Sequence, residues 1–221
     1  MLGSLLSGAL QTLAVASLAA MVAVVVAPIA AMGRGSHIGA IRVLAGLYIE
    51  FFRGTSALVQ LYFAFYVLPL FGVTLPALVV GSAVLGLNTG SYGAEVVRGA
   101  LQAVPKTQRE AATALGMSPL LAMRRVVFPQ ALLAMVPPWT NLFIDLLKGT
   151  ALVSLIAISD LAFHAQQLRT ESGGQNTLKV FAVVILIYLA MAQCIALAGR
   201  LLETRLSRGR DVGSRATRLM Q

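Results

Sequence analysis

Charge is scarce in this chain, and that scarcity sets its class. Of 221 residues only 11% are charged and 58% are hydrophobic, with a mean hydropathy of +0.84. Soluble domains carry about 25% charged residues, so lipid is the solvent for much of this surface. A single cysteine, Cys194, excludes a disulfide within the chain, and no CxxC or Cys/His cluster suggests a metal site. Two histidines, His37 and His164, stand alone in loops, and no Ser/His/Asp or paired-carboxylate arrangement points to catalysis. No GxxxxGK(S/T) phosphate loop occurs, so the chain does not cradle ATP in that manner. Any ATP-driven work done with this chain takes its energy from another polypeptide.

What is present is a set of long apolar runs. No charge occurs from Met1 to Gly33 or from Gly54 to Ala94. A helix crosses a bilayer with roughly 20 apolar residues, so the second run holds two spans with Pro69, Gly72 and Pro76 at the turn. The reading is all-α with five spans, at about Leu5–Met32, Gly54–Phe71, Pro76–Val97, Gln130–Ile158 and Leu178–Leu201, in one domain over 1–221. The first segment lacks the basic start of a signal peptide and reads as a retained span. Apolar residues at Ile38, Ile41, Leu44, Ala45, Tyr48, Ile49 and Phe52 predict an amphipathic helix leading into span two.

The net charge of +9 is not a nucleic-acid patch, because the basic residues alternate with apolar spans. Arg34, Arg42 and Arg53 follow span one. Arg98, Lys106, Arg109, Arg124 and Arg125 follow span three. Arg200, Arg205, Arg208, Arg210, Arg215 and Arg218 follow span five, the last five of them within a basic tail at 202–221. Only Arg169 and Lys179 lie on the opposite side, with Lys148 inside a span. The positive-inside rule places the N-terminus outside and the C-terminus in the cytoplasm.

One hydrophilic block, EAATALGMSPLLAMRRVVFP at Glu110–Pro129, breaks this pattern between spans three and four. Glu110, Ala111 and Ala112 favour helix, and Gly116 interrupts it. Ser118 then suits an N-cap and Pro119 the first helical position, with Pro129 ending the second helix. Two short helices joined at a glycine form a knob. Its small residues, Ala111, Ala112 and Gly116, suit a cleft in another protein.

The block resembles the EAA signature of ATP-binding-cassette importer permeases: Glu110-Ala111-Ala112, Gly116, Val126, Phe128 and Pro129, with Phe128 where Leu is usual. FRGTSALVQLY at Phe52–Tyr62, GSYGAEVVRGALQAVP at Gly90–Pro105 and LLKGTALVSLIAISDL at Leu146–Leu161 resemble the polar amino-acid subfamily, with Ser56, Gly149 and Ala151 as departures. KGTALVSL and SDLAFHAQQL are most similar to permeases for ectoine-type solutes. The resemblance implies a type I importer permease of the inner membrane, with its ATPase-coupling loop at 98–129 and Glu110, Ala111, Ala112 and Gly116 as coupling residues. It implies a cassette ATPase dimer carrying ATP and Mg, a second permease subunit, an extracytoplasmic solute-binding protein and a small polar solute as partners. This chain itself holds no cofactor and binds no nucleic acid.

Polar residues inside spans are costly and mark candidate sites. Asp145 and Lys148, three apart, either line the path with Thr150 or pair to hold a bent helix. Gly149-Thr150 is a place for that helix to loosen. Gln60 and Asn88 need protein or water as partner and join the candidate pathway. Asp160, at the outer mouth, either meets a solute ammonium or caps the helix after it. Glu95 and Arg98 read as a structural pair. An ion-coupled secondary transporter using Asp145, Lys148 or Glu95 is the competing reading, and it has no use for the EAA block.

Overall fold

The computed structural model describes residues 2–207. Every regular element among them is helical. α1 (Leu2–Arg34) is followed by α2 (Gly39–Gly54) and α3 (Ala57–Tyr62), which continues through a π turn at Phe63–Val67 and a 3-10 turn at Leu68–Phe71. Then come α4 (Ala77–Ala103), α5 (Lys106–Ala114) and α6 (Pro119–Ala122). A π turn at Met123–Val127 joins α6 directly to α7 (Phe128–Gly149), whose end tightens into a 3-10 turn at Thr150–Ile156. α8 (Leu161–Glu171) and α9 (Thr177–Ser207) complete the order.

α1 and α4 form the centre and run parallel. Val15 and Ala19 pack with Val80, Val84 and Leu85, and further along Ala30 and Ala31 pack with Ala94. Small residues allow the approach, as is usual where no solvent drives helices together. A Cβ on Gly86 would lie 2.7 Å from the Ala19 carbonyl, and one on Gly93 would meet Ala27 and Trp139. Because α1 and α4 point the same way, residues 39–76 must carry the chain back along the bundle. α7 lies antiparallel to α4: Val127 and Ala131 meet Ala100 and Val104 at one end, and Leu146 and Val153 meet Val80 and Val84 at the other. α9 starts beside Leu5 and leans on α7 where Gly199 faces Thr140.

The five-span expectation needs correction. Three segments are long and apolar enough by themselves: Leu2–Arg34, Pro119–Ile156 and Thr177–Ser207. A fourth arises only if Gly39–Gly54 and Ala57–Phe71, bent by 106°, count as one broken span. Span two therefore does not stand alone as a helix from Gly54. α4 has the length, at 27 residues, but its stretch GLNTGSYGAE is too polar to qualify. It tolerates this because α1, α2 and α7 surround it, so its polar groups meet protein.

A second correction concerns Pro129. It does not end the second helix of the block; α6, the π turn and α7 run as one rod through it. Proline lacks the N–H that an α-helix needs at that position. The wider π turn before it absorbs the extra residue, with the Phe128 N–H reaching the Met123 carbonyl. The amphipathic helix expected at 38–52 is present as α2. The part of the basic tail after Ser207 lies outside the described residues.

Candidate functional site

The knob at one end of the bundle is built as its residues dictate. α5 closes on Gly116, which adopts a left-handed φ of 73°. Its N–H donates to Thr113 O at 2.9 Å and the next N–H, of Met117, donates to Ala112 O at 3.1 Å, which satisfies the carbonyls that a helix end leaves free. Ser118 caps α6, its hydroxyl accepting from the Leu121 N–H at 3.4 Å with Pro119 following. The Arg109 guanidinium donates to Leu101 O at 2.6 Å and ties α5 to the end of α4. Glu110, Ala111 and Gly116 are exposed, but Ala112 is 2% exposed and faces this chain's own core. Ala112 thus anchors the knob rather than forming its outer surface. The tip instead presents Leu115, 77% exposed, and Leu120, 79% exposed. The sequence reading passed over both, although two leucines flanking a helix-stopping glycine were the signal.

The candidate pathway residues do not converge. Gln60 and Asn88 serve the break between α2 and α3. Gln60 Nε2 donates to Phe52 O at 3.1 Å and Thr55 Oγ1 at 2.7 Å; Asn88 Nδ2 donates to Phe52 O at 2.9 Å and Gln60 Oε1 at 3.2 Å. The bend strands carbonyls at the end of α2, and these two amides supply donors to them. In this structure they are structural anchors.

Thr150 is fully buried, and its hydroxyl donates to Leu147 O at 2.7 Å. The loosening expected at Gly149-Thr150 is the 3-10 turn that begins there. Asp160 is also fully buried and caps α8: its Oδ1 accepts from the Phe163 N–H at 2.9 Å. Burial pushes its carboxyl up to about 6, the cap bond and His164 opposing. The Thr12 hydroxyl on α1 accepts from the Leu161 N–H at 3.1 Å, and the Tyr188 hydroxyl is buried in the same pocket. Asp160 therefore caps α8 at a packed end of the bundle, where the Leu161 N–H ties that helix to Thr12 of α1, and in this conformation it does not open to the outer mouth. Thr12 was missed because nothing local distinguishes a threonine whose partner is 149 residues away.

Asp145 and Lys148 are different. Their ion pair, Nζ to Oδ1 at 3.2 Å, is exposed on both sides, at 70% and 63%. They belong to an exposed stripe on α7 that runs through Ala134, Pro137, Pro138 and Asn141 at helical spacing. Pro137 and Pro138 lack the N–H groups that would bind Leu133 O and Ala134 O within the helix. The face therefore offers two carbonyls without their helical donors, an amide, a carboxylate and an ammonium. Such a face on a spanning segment meets water or protein, since lipid satisfies none of these groups. Glu95 and Arg98 pair within α4 as expected, Nε to Oε2 at 3.0 Å.

Residues 23–208 match the family described as "Binding-protein-dependent transport system inner membrane component". The chain belongs to this family. It is thus a multi-pass membrane subunit of a transporter. It is 47% identical over 170 residues, covering 74% of this chain and 71% of the other, to a Sinorhizobium fredii (strain NBRC 101917 / NGR234) protein named "Probable amino-acid ABC transporter permease protein y4tF". It is 33% identical to the L-cystine transport system permease protein TcyB of Bacillus subtilis (strain 168), covering 92% of this chain and 87% of the other. Among solved structures it resembles a chain of an amino acid ABC transporter crystallised with histidines, with TM-score 0.85 and 34% identity over 92% of this chain and 94% of that one.

Proposed function

We propose that this permease carries an amino acid or an amino-acid-derived solute, ectoine-like zwitterions included, into the cell by alternating access. The observation that carries the reading is the exposed α7 stripe from Ala134 to Lys148. Its acceptors, Leu133 O, Ala134 O and Asp145, suit a solute's ammonium, and Lys148 suits a carboxylate. The names of the relatives, which transport amino acids or L-cystine, agree in solute class. Because the stripe is open rather than enclosed by this chain, a second permease subunit, identical or homologous, completes the path. The N-terminus is outside and the C-terminus cytoplasmic, and an extracytoplasmic binding protein delivers the solute.

The knob at Lys106–Ala122 docks on a cassette ATPase dimer that holds ATP and Mg. Leu115 and Leu120 are its contacts, with Glu110, Ala111 and Gly116 shaping the surface around them. Closure of the ATPase pair moves the knob, and the rigid α6–α7 rod transmits the motion to the stripe. That continuity is why the π turn at Met123–Val127 matters: a flexible joint there would lose the stroke. An ion-coupled carrier has no use for such an exposed apolar tip.

The test is solute-stimulated ATP hydrolysis in vesicles holding the complete transporter and its binding protein. Leu120→Asp is expected to insert and fold normally, because Leu120 touches little of its own chain, and to lose at least about tenfold in stimulation, the scale of an interface hot spot. Stimulation at the unmodified level would remove the knob from the docking role.

A further inference from the structure

A second open feature remains on the bundle, and it is chemically unlike the α7 stripe. α1 and α9 flank α7 without meeting along most of their length. The space between them is a groove of about 740 Å³, with Trp139, Phe143 and Leu132 of α7 on its floor and Ala20 and Ala198 on its walls. Two of its lining residues carry hydroxyls, and both are already committed. Ser17 Oγ donates to Ala14 O at 3.0 Å, and Thr140 Oγ1 donates to Val136 O at 2.9 Å. The groove therefore offers a ligand almost wholly apolar surface, with the Trp139 indole N–H as its one uncommitted side-chain donor and no acceptor or charge to match it, which does not suit a polar solute. One end is closed where Leu5, Leu161 and Val184 pack together.

The other end is basic. One turn beyond the groove, its α7 floor leads from Phe128 back to Arg124 and its α9 wall leads from Leu202 on to Arg205. Both arginines are exposed, and neither makes an ion pair among the described residues. Glu203 falls on the opposite side of α9 from Arg205 by helical spacing. An apolar groove along three segments of spanning length, ending at two unpaired cations, has the charge and polarity order of one leaflet of a membrane.

We propose that this groove binds an anionic phospholipid, with an acyl chain lying over Trp139 and the headgroup phosphate at Arg124 and Arg205. The lipid fills the gap between α1 and α9 and so supports α9, which is the least buried of the spanning segments. The site depends on membrane embedding alone and is independent of the solute, so it survives even if the substrate reading fails.

Trp139 is the sole tryptophan and reports on the site directly. The full chain is reconstituted into vesicles containing phosphatidylglycerol and phosphatidylcholine, with bromine on the acyl chains of one lipid at a time. Brominated phosphatidylglycerol is expected to quench Trp139 at least about twofold more than brominated phosphatidylcholine at equal mole fraction. Arg124→Gln/Arg205→Gln should abolish the difference while leaving quenching by both lipids. Ala20→Phe, which fills the wall, should reduce quenching by both, and circular dichroism confirms that each variant is helical. Equal quenching by the two lipids in the unmodified chain overturns the headgroup assignment. Shielding of Trp139 from both lipids overturns the whole proposal, since it shows that protein, such as a second copy, occupies the groove.

Discussion

Asp160 shows how far a residue's position can mislead about its task. It sits at a helix start near the bundle's end, where a carboxylate facing solute is easy to imagine. Yet the fold buries it and spends one oxygen on the Phe163 N–H. Because burial raises its folded pKa to about 6 from 3.8, the native state holds its proton more tightly than the unfolded chain does. The sign follows: stability falls as pH rises from about 4 to about 6 and is level above that, as far as this group contributes. Asp160→Asn keeps a capping oxygen and should flatten that slope in thermal unfolding measured across the range. An unchanged slope would show that another group titrates. Asp145 and Lys148 make the opposite case. As an exposed pair they stabilise by less than about 1 kcal/mol, so Asp145→Asn/Lys148→Met should melt within a few degrees of the unmodified protein. Transport by that double variant should nevertheless fall at least about tenfold if each charge holds one end of the solute. Full transport at normal membrane levels would reduce the pair to a surface ornament of α7.

At the scale of elements, the contact between α1 and α4 depends on the absence of side chains. A Cβ on Gly86 would sit 2.6 Å from Val22 Cβ and 2.7 Å from the Ala19 backbone oxygen, neither of which is a flexible chain end. Gly86→Leu should therefore push the helices apart and cost about 1–3 kcal/mol, the range for overpacking. Gly99→Leu, where nothing lies within 4 Å, serves as control. Lower thermal stability in detergent for the first and not the second is the expected result; equal stability would mean that the two helices separate freely. The break between α2 and α3 follows similar logic. A helix that bends by 106° in a membrane must satisfy the carbonyls it exposes, and Gln60 and Asn88 do so from two different elements. Their polarity was legible in the sequence, but the object of that polarity was not.

For the whole molecule, the packing sets which ends lie together. The loop at 35–38 is at the end shared by Ala31 and Ala94, whereas the loop at 172–176 joins α8 to α9 beside Leu5. In a Cys194→Ala background, Gln175→Cys should react with an impermeant thiol reagent from outside and His37→Cys should not. Both positions are exposed, so access to the compartment and not burial decides the result. The reverse pattern would invert the orientation drawn from the arginines.

Composition and local pattern alone established that this is a helical membrane chain and that a polar two-helix block interrupts it. These properties follow from free energies summed over local windows: apolar length, charge asymmetry, and a glycine and a cap at fixed offsets. Gly116 and Ser118-Pro119 were readable for that reason, since a left-handed turn and an N-cap are made within four or five residues. Tertiary structure decided the rest. It showed that α4 is central and can therefore be polar, that Pro129 lies within a continuous rod, and that Ala112 faces inward while Leu115 and Leu120 face out. It also separated Asp160 and Thr150, which are buried, from Asp145 and Lys148, which are open. Burial is a property of what packs on a residue from elsewhere in the chain, and no local spacing carries that information.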